Sequence, residues 1–315
     1  MRVFFMGTPQ LAVPTLKSII ESKHEVVLVI TQPDKPAGRQ RKIIASPVKL
    51  LALSEGIPVI QPLTLKDEVF RIRVEELKPD IGVVFAYGKI IPQWLLDLPK
   101  RGIINVHPSL LPRWRGAAPI QRPIMAGDEV TGVTVIQMVM ELDAGDILLQ
   151  QEVEIGPDDT AEAIGLRISD LAAELTVKIL DDIEVGTATP MKQDESKVTY
   201  ASKITDADVE IDWGKPAAVI FNQVRALNPK PGAHTHVDDM LLKVWWVSPA
   251  PEVERGEPGT VVHVDKNRGL YIATATESLL LAEVQPANKR KMGGEEFVRG
   301  YRIKVGDRLG HRVHD

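Results

Sequence analysis

The 315-residue sequence predicts a doubly wound α/β domain with a mostly parallel, Rossmann-like sheet, followed by a small antiparallel, OB-like β-barrel domain. Three observations carry this fold class. Short apolar runs alternate with helical patterns through residues 1–188, a polar and turn-rich stretch fills 189–205, and short strand-like runs recur between Gly and Pro from 206 to 315. In the first region Val3-Phe4-Phe5-Met6 leads into a helical pattern over 11–22, and Glu25-Val26-Val27-Leu28-Val29-Ile30 precedes another over 46–55. Pro58-Val59-Ile60, Asp80-Ile81-Gly82-Val83-Val84-Phe85-Ala86 and Ile103-Ile104-Asn105-Val106 follow, and a long helix over 160–185 closes the set. Strands this continuously apolar are buried on both faces, which calls for a parallel sheet between layers of helices. In the second region a helix over 216–227 precedes runs such as Leu241-Leu242-Lys243-Val244-Trp245-Trp246-Val247 and Ser278-Leu279-Leu280-Leu281, as expected of a small barrel.

Composition excludes several classes of function. With 44% hydrophobic and 26% charged residues the chain is an ordinary globular one. The absence of cysteine removes disulfides, thiolate metal sites and cysteine nucleophiles together. No apolar run is long enough to span a bilayer, and Met1 leads straight into an apolar strand without a signal-like segment, so a cytosolic protein with no membrane partner is expected. A formal net charge of -5 means that any nucleic-acid partner must be held by local basic patches. The loop Met6-Gly7-Thr8-Pro9-Gln10 lacks both the Gly spacing of a dinucleotide site and the Lys of a phosphate loop.

Ligands gather where the strands of an open α/β sheet end, which directs attention to Asn105 and His107. Side chains alternate along a strand, so these two share a face just before the chain runs into Pro108. An amide donor beside an imidazole suits acyl transfer: Asn105 can donate to a developing oxyanion while His107 exchanges a proton with the attacking or leaving nitrogen. A plain polar pair at a strand end would look the same. Asp143-Ala144-Gly145 follows the apolar run that begins at Val133, so its carboxylate also belongs at a strand exit, although a lone Asp often serves only as a turn former.

Asn105, His107, Ser109-Leu110-Leu111-Pro112, Arg115-Gly116 and Asp143-Ala144-Gly145 together resemble the motif set of the formyl-tetrahydrofolate-dependent formyltransferase family. Further matches narrow the likeness to the branch that formylates initiator methionyl-tRNA. They include Phe5-Met6-Gly7-Thr8-Pro9, Thr31-Gln32-Pro33-Asp34, Ser46-Pro47-Val48-Lys49, Ala86-Tyr87-Gly88, Arg113-Trp114-Arg115-Gly116-Ala117-Ala118-Pro119, Ile211-Asp212-Trp213 and Arg225-Ala226-Leu227-Asn228-Pro229, spread over essentially the whole chain. The resemblance implies an enzyme that moves a formyl group from 10-formyltetrahydrofolate to the methionine amino group, with no metal; a monomer is expected, although nothing in the sequence sets the oligomeric state. It implies that Asn105 and a protonated His107 stabilise the oxyanion, that Asp143 pairs with His107, and that Ser109, Leu110, Leu111 and Pro112 line the folate site. Position 108 departs from it, since Pro stands where Gly or Ala is common in the family.

A tRNA partner needs concentrated positive charge, and two segments offer it. Lys35, Arg39, Arg41, Lys42 and Lys49 cluster in a loop with Asp34 as the opposing charge, and Lys289, Arg290 and Lys291 open a basic run that continues to Arg312. Lys35, Arg39, Arg41, Lys42, Lys289, Arg290 and Lys291 are therefore the expected tRNA contacts. His234-Thr235-His236 and the pair His311 and His314 lack carboxylate or thiolate partners at ligand spacing. An enzyme formylating a small amine, or a formyl-folate hydrolase, would share the core motifs but would not need the basic loop and the second domain together. A non-catalytic RNA- or folate-binding module would have no use for intact Asn105, His107 and Asp143.

Overall fold

Seven strands stack in the order Ile147–Glu154, Val130–Gln137, Ile103–His107, Ile81–Phe85, Arg2–Gly7, Glu25–Ile30, Val59–Ile60 in the computed structural model, which describes residues 1–37, 42–253 and 256–310. The pairings from Ile103–His107 through to Val59–Ile60 are parallel, while Val130–Gln137 and Ile147–Glu154 join antiparallel at one edge. The doubly wound, mostly parallel sheet expected from the apolar runs is thus present. Val3, Phe4, Phe5 and Met6 are fully buried, as strands covered on both faces must be. Helix Val13–Glu21 has Pro14 in its first turn, where the missing N–H costs nothing, and turns Leu16 and Ile19 into the core. Helix Pro47–Ser54 is capped by Ser46, whose hydroxyl accepts from the Lys49 backbone N–H.

The chain divides into two compact units. One comprises Met1–Pro119, Val130–Glu154 and Gly165–Ser202; the other comprises Ile120–Glu129, Ile155–Ile164 and Lys203–Asp315. In the second, Ala233–Val237, Met240–Ala250, Ser278–Pro286, Gly269–Ala273 and Val261–Asp265 form an antiparallel sheet in that order, around a core that includes Leu242, Val244, Leu279, Leu281 and Phe297. Its two outer strands are joined by the end of the described chain, for Leu309 bridges Val237 and Arg308 bridges Thr260. The antiparallel sheet expected of the second region is thus present, with these isolated bridges beside its outer strands. In the first unit, residues 189–202 are not a free connection: Tyr200–Ala201 pairs in parallel with Arg115–Gly116.

Helices Glu68–Glu76, Gln93–Asp97, Gln121–Ala126 and Gly294–Gly300 lie outside the sequence expectations. Each is at most nine residues long, so length offers little periodic signal, and the equally short Val13–Glu21 and Pro47–Ser54 are legible from the apolar strands they follow. Among the described residues no helix is long and apolar enough to cross a membrane.

Candidate active site

Asn105 and His107 sit on the Ile103–His107 strand, which is paired on both sides, by Ile81–Phe85 and by Val130–Gln137. Its register is therefore fixed, and both side chains project from the end where Pro108 stops the strand. Asp143 lies in the loop that returns from Val130–Gln137 to Ile147–Glu154, with a left-handed φ of 50°. Gly145 allows that return, since a Cβ there would overlap the Gln137 carbonyl oxygen. The spacing of Asp143 and Gly145 is thus a steric requirement of the turn that presents the carboxylate.

The three side chains lie together. Asp143 Oδ2 stands 3.6 Å from His107 Nδ1 and accepts the Gly116 backbone N–H at 2.9 Å, while Asn105 Nδ2 donates to Asp143 Oδ1 at 3.3 Å. On the other side of the ring, His107 Nε2 is 2.9 Å from the Trp114 carbonyl oxygen. A carbonyl can only accept, so the hydrogen of the neutral ring resides on Nε2 and the lone pair on Nδ1, facing the carboxylate. His107 is 3% exposed, and this burial pushes its pKa below the ordinary histidine value despite the opposing pull of Asp143 and the Trp114 carbonyl. Burial thus favours the neutral ring at rest. The protonated His107 implied by resemblance is accordingly the state reached once Nδ1 has taken up a proton, and Asp143 is placed to stabilise it.

The loop after His107 is built from the inside. Ser109 is fully buried and its hydroxyl donates to the Arg113 carbonyl oxygen at 2.9 Å, while Leu111 packs with Ile136 and Ile147. Thr134 ties both ends of this segment: its hydroxyl donates to Ser109 O at 2.6 Å and accepts from Leu111 N at 3.1 Å. Leu110 and Pro112 are the half-buried members, so of the four residues they keep side-chain surface for a ligand. Tyr87, at another strand exit, is buried with its carbonyl accepting from Gln32 Nε2 at 2.7 Å, and burial pushes its phenol up to about 12. Thr134, the Trp114 carbonyl, Thr199 and Gln193 also shape the site but escaped the sequence reading. Thr199 accepts the Trp114 N–H at 3.0 Å and Gln193 holds the Asp143 turn from a stretch that reads as a polar connection. Nothing in their local pattern distinguishes them.

Residues 1–180 match the family described as formyl transferase, and residues 203–302 match its C-terminal domain. The chain belongs to the formyl transferase family. Two relatives named methionyl-tRNA formyltransferase resemble it along nearly its whole length. The one from Bacillus licheniformis is 46% identical, covering 98% of this chain and 98% of its own, and the one from Hydrogenovibrio crunogenus is 44% identical, covering 98% and 99%. Among solved structures, an N-formyltransferase from Helicobacter canadensis in complex with folinic acid and dTDP-3-aminofucose shares the fold, with a TM-score of 0.69 at 20% identity over 92% of this chain and 99% of that one.

In this formyl transferase the expected tRNA contacts are less free than the sequence suggests. Lys35 is exposed and donates to Gln32 Oε1 at 3.0 Å, while Arg39 and Arg41 lie outside the described residues, as does the side chain of Lys42. Lys49, counted with that basic cluster, is spent on Asp34 at 2.6 Å and Gln61 at 2.7 Å. In the second unit Lys291 pairs with Glu283 at 2.7 Å and Arg290 with Glu296 at 2.5 Å, leaving Lys289 simply exposed. Lys291 also lies 5.5 Å from the centre of the Trp245 ring, and Lys243 lies 5.4 Å from it. Away from the site, His24, Asp181 and Glu184 bring ligand atoms within 4.8 Å of one another, but the Lys23 ammonium already contacts both carboxylates at 3.0 Å.

Proposed function

We propose that the chain transfers the formyl group of 10-formyltetrahydrofolate to the amino group of methionine on initiator methionyl-tRNA, giving N-formylmethionyl-tRNA for translation initiation in the cytosol. The observation that carries this proposal is the Asp143, His107 and Asn105 cluster, in a chain nearly half identical over its length to relatives named for that reaction. The folinic acid in the Helicobacter canadensis structure supports a folate donor.

In this scheme the methionine nitrogen bonds to the formyl carbon as the carbonyl electrons move to oxygen. Asn105 donates one amide hydrogen to Asp143 and keeps a second for that oxygen. His107 Nδ1 takes up the proton shed by the nitrogen, relayed through water, and Asp143 stabilises the resulting imidazolium. The same proton goes to the folate nitrogen as its bond to carbon breaks, which returns His107 to its neutral state. Acyl-transfer sites lose about 3 kcal/mol of transition-state stabilisation when one oxyanion donor is removed, which is the scale of the part given to Asn105; His107 contributes as the general base. The loop of Ser109, Leu110, Leu111 and Pro112 flanks the folate, with Ser109 and Leu111 as its scaffold and Leu110 and Pro112 as its contact surface.

Catalysis belongs to residues 1–188 in this proposal, and residues 206–315 serve as a handle for tRNA. Lys35, Arg39, Arg41 and Lys42, together with Lys289, Arg290 and Lys291, contact phosphates, which supply affinity and not chemistry. The test is a formyl-transfer assay comparing charged initiator tRNA with small amines. Transfer to the tRNA at a kcat/KM far above that for free amines is expected; a preference for a small amine overturns the substrate assignment.

A further inference from the structure

Asp143 can act on His107 only if its carboxylate stays aimed, and its backbone does not do this unaided. Its φ of 50° is a left-handed conformation, uncommon outside glycine although Asp and Asn tolerate it, and further contacts hold it here. The amide nitrogen of Gln193 donates to both carbonyls of that turn, Asp143 O at 2.7 Å and Gly145 O at 2.8 Å. The amide oxygen of Gln193 in turn accepts from Arg115 Nε at 3.1 Å and Nη2 at 2.9 Å. Arg115 is 1% exposed, is anchored to Glu195 at 2.7 Å, and immediately precedes Gly116, whose N–H donates to the Asp143 carboxylate. The contacts form a closed ring that grips Asp143 by its backbone at one end and by its carboxylate at the other.

We infer that Gln193 is a positioning residue for formyl transfer, acting through Asp143 by clamping the 143–145 turn against the buried Arg115. The inference rests on the catalytic roles proposed for Asp143 and His107. Only a carboxamide meets the geometry, because two hydrogens on one nitrogen serve two carbonyls while the oxygen faces a guanidinium. Glutamate has the same shape and keeps the Arg115 contact, yet it turns a carboxylate onto two carbonyl oxygens. Gln193→Glu therefore separates the clamp from the packing.

The experiment measures kcat, KM and pH profiles for Gln193→Glu, Asp143→Asn and the double variant. Gln193→Glu is expected to lower kcat about a hundredfold, the scale at which a displacement of about 1 Å near the reacting groups is felt, while KM for each substrate changes little. Its acid limb should move to lower pH as in Asp143→Asn, since a displaced carboxylate no longer supports charge on His107. Because the two residues act in series, adding Gln193→Glu to Asp143→Asn should cost little more than Asp143→Asn alone. A wild-type rate and profile for Gln193→Glu beside an impaired Asp143→Asn overturns the inference and leaves the proposed function standing. Fully multiplicative losses in the double variant overturn it as well, and a wild-type Asp143→Asn removes the catalytic reading beneath it.

Discussion

Replacing Asp143 by Asn removes the charge that faces His107 and, with the new oxygen kept on the Gly116 N–H, also removes the acceptor of the Asn105 amide. Asn is among the residues that tolerate a left-handed φ, and its side-chain oxygen can still accept the Gly116 N–H, so the turn is expected to survive. The larger loss is the attraction between the carboxylate and an imidazolium whose Nδ1 lies 3.6 Å away. At an effective dielectric near 20, unit charges at this range attract by about 4 kcal/mol, which corresponds to roughly a thousandfold in kcat if it acts fully on the transition state. The pH dependence has a definite sign. Burial holds His107 below the ordinary histidine value and Asp143 opposes burial, so removing the carboxylate lets the pKa fall further. Where neutral His107 is the proton acceptor, the acid limb of the kcat profile must then shift to lower pH. Steady-state formylation of methionyl-tRNA between pH 5 and 9, an ordinary working range about the histidine pKa, reads both quantities. A variant within a few-fold of wild type and with an unmoved acid limb would refute the charge-pair role and reduce Asp143 to a turn former.

Other expectations follow from the same geometry. His107→Ala and Asn105→Ala should each lower kcat by about two to three orders of magnitude with little change in folate affinity, measured by transfer kinetics and by direct folate titration. Neutralising Lys289, Arg290 and Lys291 together should raise KM for methionyl-tRNA and flatten the slope of log affinity against log salt by about 0.7–0.9 per lost phosphate contact. Glu283→Gln with Glu296→Gln should do the opposite, because these carboxylates now compete with phosphate for Lys291 and Arg290; an unchanged tRNA affinity would place that patch outside the interface. Acid unfolding should reflect two groups of residues. His24 and His107, both held down by burial, contribute stability that is complete above the ordinary histidine pKa and is lost as pH falls below it. Asp208, lowered to about 2 first of all by Arg122, contributes about 2 kcal/mol that is present above pH 4 or so and lost toward pH 2, so Asp208→Asn should reduce the lower step in a pH series of denaturant midpoints, to which Glu184 also contributes.

What could be read in the sequence divides along physical lines. The sheet was legible because Val3-Phe4-Phe5-Met6 and Ile81-Gly82-Val83-Val84-Phe85 are apolar on both faces, a pattern that burial alone explains. The placement of Asn105 and His107 followed from strand alternation and the rule that ligands gather at strand ends. The tryptophan pair was less transparent. Leu242 and Val244 point inward, but the register shifts around Trp246 carry the inward side to Val247, so Trp245 and Trp246 are both half-buried where alternation puts one in and one out. Gln193 was illegible for a different reason: its partners Arg115, Asp143 and Gly145 lie between 48 and 78 residues away, and no local period encodes such a contact. The charge of Lys49, Arg290 and Lys291 was visible, but the carboxylates that occupy them are set by tertiary packing.

Three of the six non-glycine residues with positive φ among the described residues follow strands that lead to the candidate site. Ala86 directly follows the Ile81–Phe85 strand, Trp114 lies in the loop after Ile103–His107, and Asp143 lies in the loop after Val130–Gln137; all three have positive φ without being glycine. Such conformations cost about 1–3 kcal/mol each and persist only where the surroundings over-determine them. Here the three preceding strands are adjacent in one sheet and locked in register, so each loop starts from a fixed point. Further along, Trp114 is tied through its N–H to Thr199, and the Asp143 turn is tied through its carbonyls to Gln193. The two strained residues then reach His107 from opposite sides, Trp114 with a carbonyl at Nε2 and Asp143 with a carboxylate at Nδ1. A relaxed loop could satisfy either contact alone. Holding both at once fixes the ring's tautomer and the direction of proton uptake, which is what the cost of the left-handed residues secures.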